Sequence, residues 1–172
     1  MLDREYVQKE LDKFKRYVIQ QSRSNLTKGD KNVNKKLYNS INGEAISSKN
    51  SLGLYFEMEE YGTFQDLGVK GKKSSAKAPN SPYQFGTGRG KKGGLTEGIN
   101  KWVRARRFQF RDKKGKFTSF ESTAFIITRS IYNKGIKPSF FFTKPFEKAF
   151  ERLPNDIIEA YGLDVETLIK LK

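Results

Sequence analysis

The sequence predicts an α+β fold: a long N-terminal helix and C-terminal helices packed on a small antiparallel sheet, with a long basic Gly/Lys-rich loop. Three observations predict it. Apolar residues recur at helical spacing near both ends, at Val7, Leu11, Phe14 and Val18 and again at Phe142, Phe146 and Phe150. Two short segments around residues 45–58 flank a polar turn, as strands of a hairpin do. From 70 to 94 Gly, Ser, Pro and Lys replace aliphatics, leaving little to bury. Leu, Ile, Val and Phe make up one quarter of the 172 residues. That exceeds the roughly one-fifth below which a charged chain stays disordered. The expected organisation is a single domain, 1–172, with 70–94 as an extended basic loop inserted in it.

Each element follows from local pattern. Residues 3–24 read as one helix with a single apolar stripe, closed by Asn25 and Gly29. A short second helix opens near Asn32, carries Leu37 and Ile41, and stops at Asn42-Gly43. Residues 45–48 and 52–58 form an antiparallel pair around Ser48-Lys49-Asn50-Ser51. Met58 to Leu67 is a helical or turn segment closing at Gly68. Thr96 caps a helix bearing Ile99, Trp102 and Val103. Phe108 and Phe110 alternate with Gln109 and Arg111 as in a strand with one buried face. Asp112-Lys113-Lys114-Gly115 suits a turn, with Phe117 beginning the return strand. Residues 121–134 read as a buried helix through Ala124, Ile127 and Ile131, with Gly135 after its end. Ser139 is the expected cap of a helix over 140–153, in which Pro145 must either fall in the first turn or start the helix afresh, and which ends at Pro154. Two short helices, 155–161 and 164–171, capped near Asn155 and Asp164, finish the chain.

The charge is local. The chain carries 34 Lys and Arg against 19 Asp and Glu, net +15. Residues 70–120 alone hold 15 basic and two acidic side chains, net +13. A charge needed only for solubility would be spread evenly. This one points to an anionic partner, against the plainer reading of a solvated basic loop. The candidate contacts to DNA or an acidic partner are Lys70, Lys72, Lys73, Arg89, Lys91, Lys92, Arg104, Arg106, Arg107, Arg111, Lys113 and Lys114, with Lys101 and Lys116 beside them. Gly86, Gly88 and Gly90 lack the G-x-x-x-x-G-K-[ST] spacing of a phosphate-cradling loop, and no apolar strand precedes them. Trp102 beside Arg104, Arg106 and Arg107 mixes a ring with charge, with a core anchor on one side and a phosphate contact on the other.

Catalytic chemistry finds few residues. There is no Cys and no His, which removes disulfides, thiolate nucleophiles and imidazole acid–base or metal chemistry. Glu57, Glu59, Glu60 and Asp66, with Lys70 and Lys72 behind, are the only carboxylate cluster. A Mg²⁺-dependent nuclease uses carboxylates and a lysine, but no Asp/Glu-x-Lys triplet sits on a strand of its own here. A solvated turn is the favoured reading, and no enzyme, cofactor or metal is expected. The apolar runs fall far short of the roughly 18–20 residues that span a bilayer. Met1-Leu2-Asp3-Arg4-Glu5 has no secretory pattern. A soluble protein of a reducing compartment, with no membrane contact, is expected.

Phe140, Phe141, Phe142, Phe146 and Phe150 invite a base-stacking role, but their helical spacing favours a core or a buried interface. Five Phe in eleven residues exceed what one small core needs. Phe140, Phe141, Phe142, Phe146 and Tyr61 are therefore the candidate subunit-interface residues.

The order of segments carries a resemblance. Leu37-Tyr38-Asn39-Ser40-Ile41, a hairpin, then Tyr55 through Tyr61-Gly62-Thr63 resembles the tail-completion (neck) family of tailed bacteriophages. Ile136-Lys137-Pro138-Ser139-Phe140-Phe141-Phe142 with Pro145-Phe146 is similar to that family's Pro-aromatic start of a C-terminal helix. Tyr61-Gly62-Thr63-Phe64-Gln65-Asp66-Leu67-Gly68-Val69 also resembles structural proteins of crAss-like phages of gut Bacteroides. The similarity covers roughly 30–60 and 130–152. The family passes quickly from the Gly-Thr turn to the Pro-aromatic helix, whereas here about 75 residues intervene. That departure marks the basic block as an elaboration of this branch.

The resemblance implies a structural virion protein made in the host cytoplasm and placed at the head–tail junction. Such a connector forms a homo-oligomeric ring below the portal, twelve-fold or six-fold, and extends the DNA channel to the adjacent tail or ring proteins. Ring contacts are head-to-tail, so each subunit needs two different faces. Genomic DNA in the channel and an acidic ring surface both fit the +13 block. The alternative is a stand-alone nucleic-acid-binding protein that uses residues 70–120.

Overall fold

The computed structural model describes residues 4–29, 35–48, 51–88 and 93–170. The protein is α+β, with a long N-terminal helix, several C-terminal helices and two small antiparallel sheets. Where the sequence suggests one domain, the chain packs as two compact units, Met1–Gly62 with Phe140–Lys172, and Thr63–Ser139.

The first unit is built on α1 (Glu5–Lys28). Its stripe Val7, Leu11, Phe14 and Val18 is buried and continues through Ser22 to Leu26, a turn beyond the predicted end. Asn25 does not stop the helix. Its side-chain amide donates to the carbonyl of Phe141 at 3.2 Å, and Leu26 gives the last turn a buried partner. The short α2 (Lys36–Ser40) follows, then β1 (Asn42–Ser48) and β2 (Ser51–Glu57), paired antiparallel from Asn42↔Glu57 to Ser48↔Ser51. The predicted turn residues Lys49 and Asn50, and Asn32, lie outside the described residues. Gln8 fastens helix to sheet by donating to the carbonyl of Ala45 and accepting from the N–H of Ser47, both at 2.8 Å. The chain then enters α3 (Tyr61–Leu67).

α6 (Thr143–Phe150) and α7 (Leu153–Lys170) complete this unit. Ser139 does not cap α6, since its hydroxyl donates to the carbonyl of Gln65 at 2.7 Å. Pro145 does fall in the first turn of α6, where its missing N–H is no loss. Pro154 ends nothing. It lies in the first turn of α7, which runs unbroken where two short helices are predicted. Asp164 therefore caps no helix of its own. Buried in mid-helix, it accepts from the backbone N–H groups of Tyr6 and Val7 on α1.

Two apolar clusters hold this unit. Val7, Leu11, Phe14, Val18, Leu153 and Ala160 form one, lined by Leu54, Phe56 and Phe146. Leu26, Leu37, Ile41 and Phe141 form the other, with Met58 and Phe142 against it. Phe56 meets Phe142 edge-on at 5.3 Å, and Phe14 meets Phe146 at 5.5 Å.

The second unit holds β3 (Val69–Lys70), α4 (Gly94–Ala105), α5 (Phe120–Lys134) and β4 (Gly135–Ile136). β3 and β4 pair through Val69↔Ile136 and Lys70↔Gly135. Residues 70–88 have no regular element beyond β3, yet they are anchored. Lys70 bonds Tyr83 and Phe85 through its backbone, and the N–H groups of Lys72 and Lys73 donate to the carbonyls of Tyr132 and Asn133. Gly135 ends α5 where predicted, at φ +84 and ψ 178, a backbone region that only glycine adopts freely. The expected basic hairpin reduces to one bridge, Arg111↔Phe117, around a turn in which Asp112 accepts from the N–H groups of Lys114 and Lys116 and Gly115 takes φ +80. Nor is α5 the buried helix predicted. Thr123 and Ala124 are its buried residues, while Phe125 and Ile126 face solvent.

Candidate functional site

The charge divides with the fold. Residues 63–139 carry 18 Lys and Arg against four Asp and Glu, net +14, and the remaining residues are net +1. The second unit is thus a polycationic body. Its few acids are already engaged: Glu97 pairs with Lys101 at 2.7 Å, Glu121 with Arg104, and Asp112 holds its own turn. A hydrogen bond from its own backbone N–H, with Arg104 and Ser119 adding, keeps the Glu121 carboxyl below the usual range. Asp66 is buried.

The predicted contact residues fall into two groups. Lys70 is half-buried, and Lys72 and Lys73 are exposed beside the C-terminal end of α5, with the Lys72 ammonium 5.8 Å over the Tyr132 ring. Arg104, Arg106 and Arg107 leave the end of α4, and Arg111, Lys113 and Lys114 line the turn that follows, with Lys101 and Lys116 also exposed. Arg89, Lys91 and Lys92 lie outside the described residues.

Aromatic rings are interleaved with the second group. Trp102 and Phe108 are exposed, 6.0 Å apart, and Phe108 meets Phe110 edge-on at 5.3 Å. Phe117 is 62% exposed and carries the Arg111 guanidinium 4.2 Å above its ring. The chain reaches these rings through a tight reversal after α4. Arg107 adopts φ +51, its N–H donates to the carbonyl of Arg104, and the N–H of Phe108 donates to that of Val103. This is a left-handed helix end that glycine usually fills.

The predicted interface residues mostly serve the monomer's own core. Phe141 is 1% exposed, so it offers no surface to a neighbour. Phe142 and Phe146 are half-buried against the apolar clusters. The reason is the i, i+4 spacing itself, which turns those rings toward α1 and β2. Phe140 stands at φ +50 with the Lys144 ammonium 5.5 Å over its ring. Tyr61 is partly exposed, and burial raises its hydroxyl pKa.

The exposed apolar surface lies elsewhere. On α7 Ile158, Tyr161 and Ile169, at i, i+3 and i+11, share one face. A shallow depression of about 410 Å³ opens there, lined by Arg4, Val7, Leu52, Ile157, Ile158 and Tyr161. The apolar residues of 155–171 were visible in the sequence, but the split into two helices hid that they form one stripe. The sequence pattern of α5 predicts a buried helix and so does not reveal that Phe125 and Ile126 face solvent.

The carboxylate cluster does not assemble a centre. Glu59 pairs with Lys36 at 2.9 Å, and that bond raises the Lys36 pKa. Among the described residues no group of three or more acids is placed to hold a metal ion, and no helix is long and apolar enough to cross a membrane. No protein-family model matches this chain, and no curated protein or solved structure matches it.

Proposed function

We propose that this chain is a structural subunit of a phage head–tail junction. It forms a ring below the portal, twelve-fold or six-fold, that extends the DNA channel and joins head to tail. One observation carries the reading. Much of what resembles the tail-completion family packs together in the first unit: Leu37 and Ile41 share a cluster with Phe141, and Phe56 of β2 lies on Phe142, while Thr63 and Ile136–Ser139 of the same segments fall in the second unit. The roughly 75 residues that depart from the family make up most of that second unit. A common body with a branch-specific insertion is what such a relationship produces.

The surface chemistry of the first unit supports a subunit role. It is close to neutral, and one face of α7 exposes Ile158, Tyr161 and Ile169. A head-to-tail ring buries apolar surface of this kind on a different face of the next copy. The portal and the adjacent tail or ring proteins are the proposed partners, and the virion is the proposed location. Quantitative mass spectrometry of gradient-purified virions tests this. A ratio of this chain to portal protein near one, or a simple multiple, is the expected result. Absence from particles refutes the reading.

A further inference from the structure

We propose that the Trp102–Phe117 segment of the second unit binds single-stranded nucleic acid, stacking bases on exposed rings while the flanking cations take phosphates. The inference stands on this unit alone and holds whether or not the chain is a ring subunit. Three observations carry it.

First, Trp102 and Phe108 are about two-fifths exposed and Phe117 is 62% exposed, within a surface of strong positive charge. A surface meant for an acidic protein needs the cations alone. Flat exposed rings between cations match a ligand that alternates phosphates with π-faces. In a duplex those faces are stacked inside, so a duplex would use the charge and leave the rings idle.

Second, the Arg111 guanidinium lies over the exposed Phe117 ring, and its N–H donates to the carbonyl of Gly115 at 3.0 Å. The guanidinium is thus held 4.2 Å from the ring centroid, where it adds a positive charge beside an aromatic face.

Third, Arg107 occupies a left-handed backbone position that glycine would fill without strain. This arginine sits in the chain between Trp102 and Phe108, where a cation beside the rings fits the proposed phosphate contact.

The test uses the full chain with fluorescein-labelled dT20, the matched 20-base-pair duplex and poly-glutamate, by anisotropy across a salt series. The expected result is tighter binding of dT20 than of duplex or poly-glutamate, falling steeply with salt. Phe117→Ala should weaken dT20 binding about tenfold and leave duplex binding unchanged, while Phe117→Trp restores it. Arg107→Gly should melt no lower than the parent and still bind dT20 more weakly. That pairing separates a binding role from a folding one. Equal affinity for dT20 and duplex with no effect of Phe117→Ala overturns the proposal, as does poly-glutamate binding as tightly as dT20. Absence of dT20 binding also overturns it, without touching the virion stoichiometry that tests the ring.

Discussion

Asp164, in the middle of α7, closes the start of α1. Its carboxylate accepts from the N–H of Tyr6 at 3.0 Å and of Val7 at 3.2 Å. Arg4, the residue before α1, makes no side-chain cap, so two otherwise unpaired donors of the first turn depend on a side chain about 160 residues away. A negative charge there also suits the positive end of the helix. Asp164→Ala should cost about 2 kcal/mol, because it leaves buried donors unsatisfied. Asp164→Asn keeps one acceptor and should cost less. Urea unfolding of both variants checks the order, and equal stability of Asp164→Ala and the parent rejects it.

Phe141 and Phe150 sit nine residues apart and should respond very unequally to truncation. Phe141 is enclosed by Leu26, Leu37 and Ile41, so Phe141→Ala should cost about 3–5 kcal/mol. Phe150 is half exposed and ends the stack that runs from Phe142 through Phe146. Phe150→Ala should cost less than about 1 kcal/mol. Thermal melts of the monomer distinguish a core role from an interface role, since an interface residue would leave the monomer's melting point unchanged.

Gly135 should tolerate no side chain. Its φ is +84, and a Cβ would run into the carbonyl oxygen of Val69 and lie 2.7 Å from the N–H nitrogen of Gly71. Gly135→Ala should lose more than about 2 kcal/mol. Hydrogen exchange should show the loss at the Lys72 and Lys73 amides, which hang on the end of α5 beside it. Protection unchanged at those amides would contradict the argument.

Asp12 sets a small acid dependence. A bond from the Lys15 ammonium at 2.6 Å, with a second from Gln8, holds its carboxyl below the ordinary range. A carboxylate whose pKa falls on folding adds stability above its unfolded value of about 4, and that stability is lost as pH drops through the lower folded value. Asp12→Asn should therefore cost about 0.5 kcal/mol at pH 7 and nothing measurable near pH 2. An equal loss at both pH values would sink the assignment.

Much of the fold was legible because it is written in local repeats. The α1 stripe, the hairpin, the positive-φ glycine at 115 and the glycine that ends α5 all follow from residues within a few positions of one another. The misreadings share one cause. Pro154 reads locally as a stop, but proline breaks a helix only past its first turn, and Leu153 packing into the α1 cluster puts Pro154 inside the first turn of α7. Asp164 was read as a local cap because the amides it serves belong to a distant helix. At the candidate site, the cations and Trp102 were legible from composition. Phe117 and the strained turn at Arg107 were not, because exposure and backbone angle depend on what packs nearby.

The sequence by itself determined where most of the helices run, that a hairpin lies in the first third of the chain, and that nearly all the net positive charge lies in one stretch. These are one-dimensional properties, set by spacing and residue type. Only the tertiary structure decided that the charged stretch forms a unit of its own, that Phe141 is core while Phe117 and Phe125 face water, and that Asp164 closes α1. An amphipathic pattern names the face that must be buried where one partner is on offer. Where apolar residues exceed the partners available, packing elsewhere in the chain chooses which of them go inside.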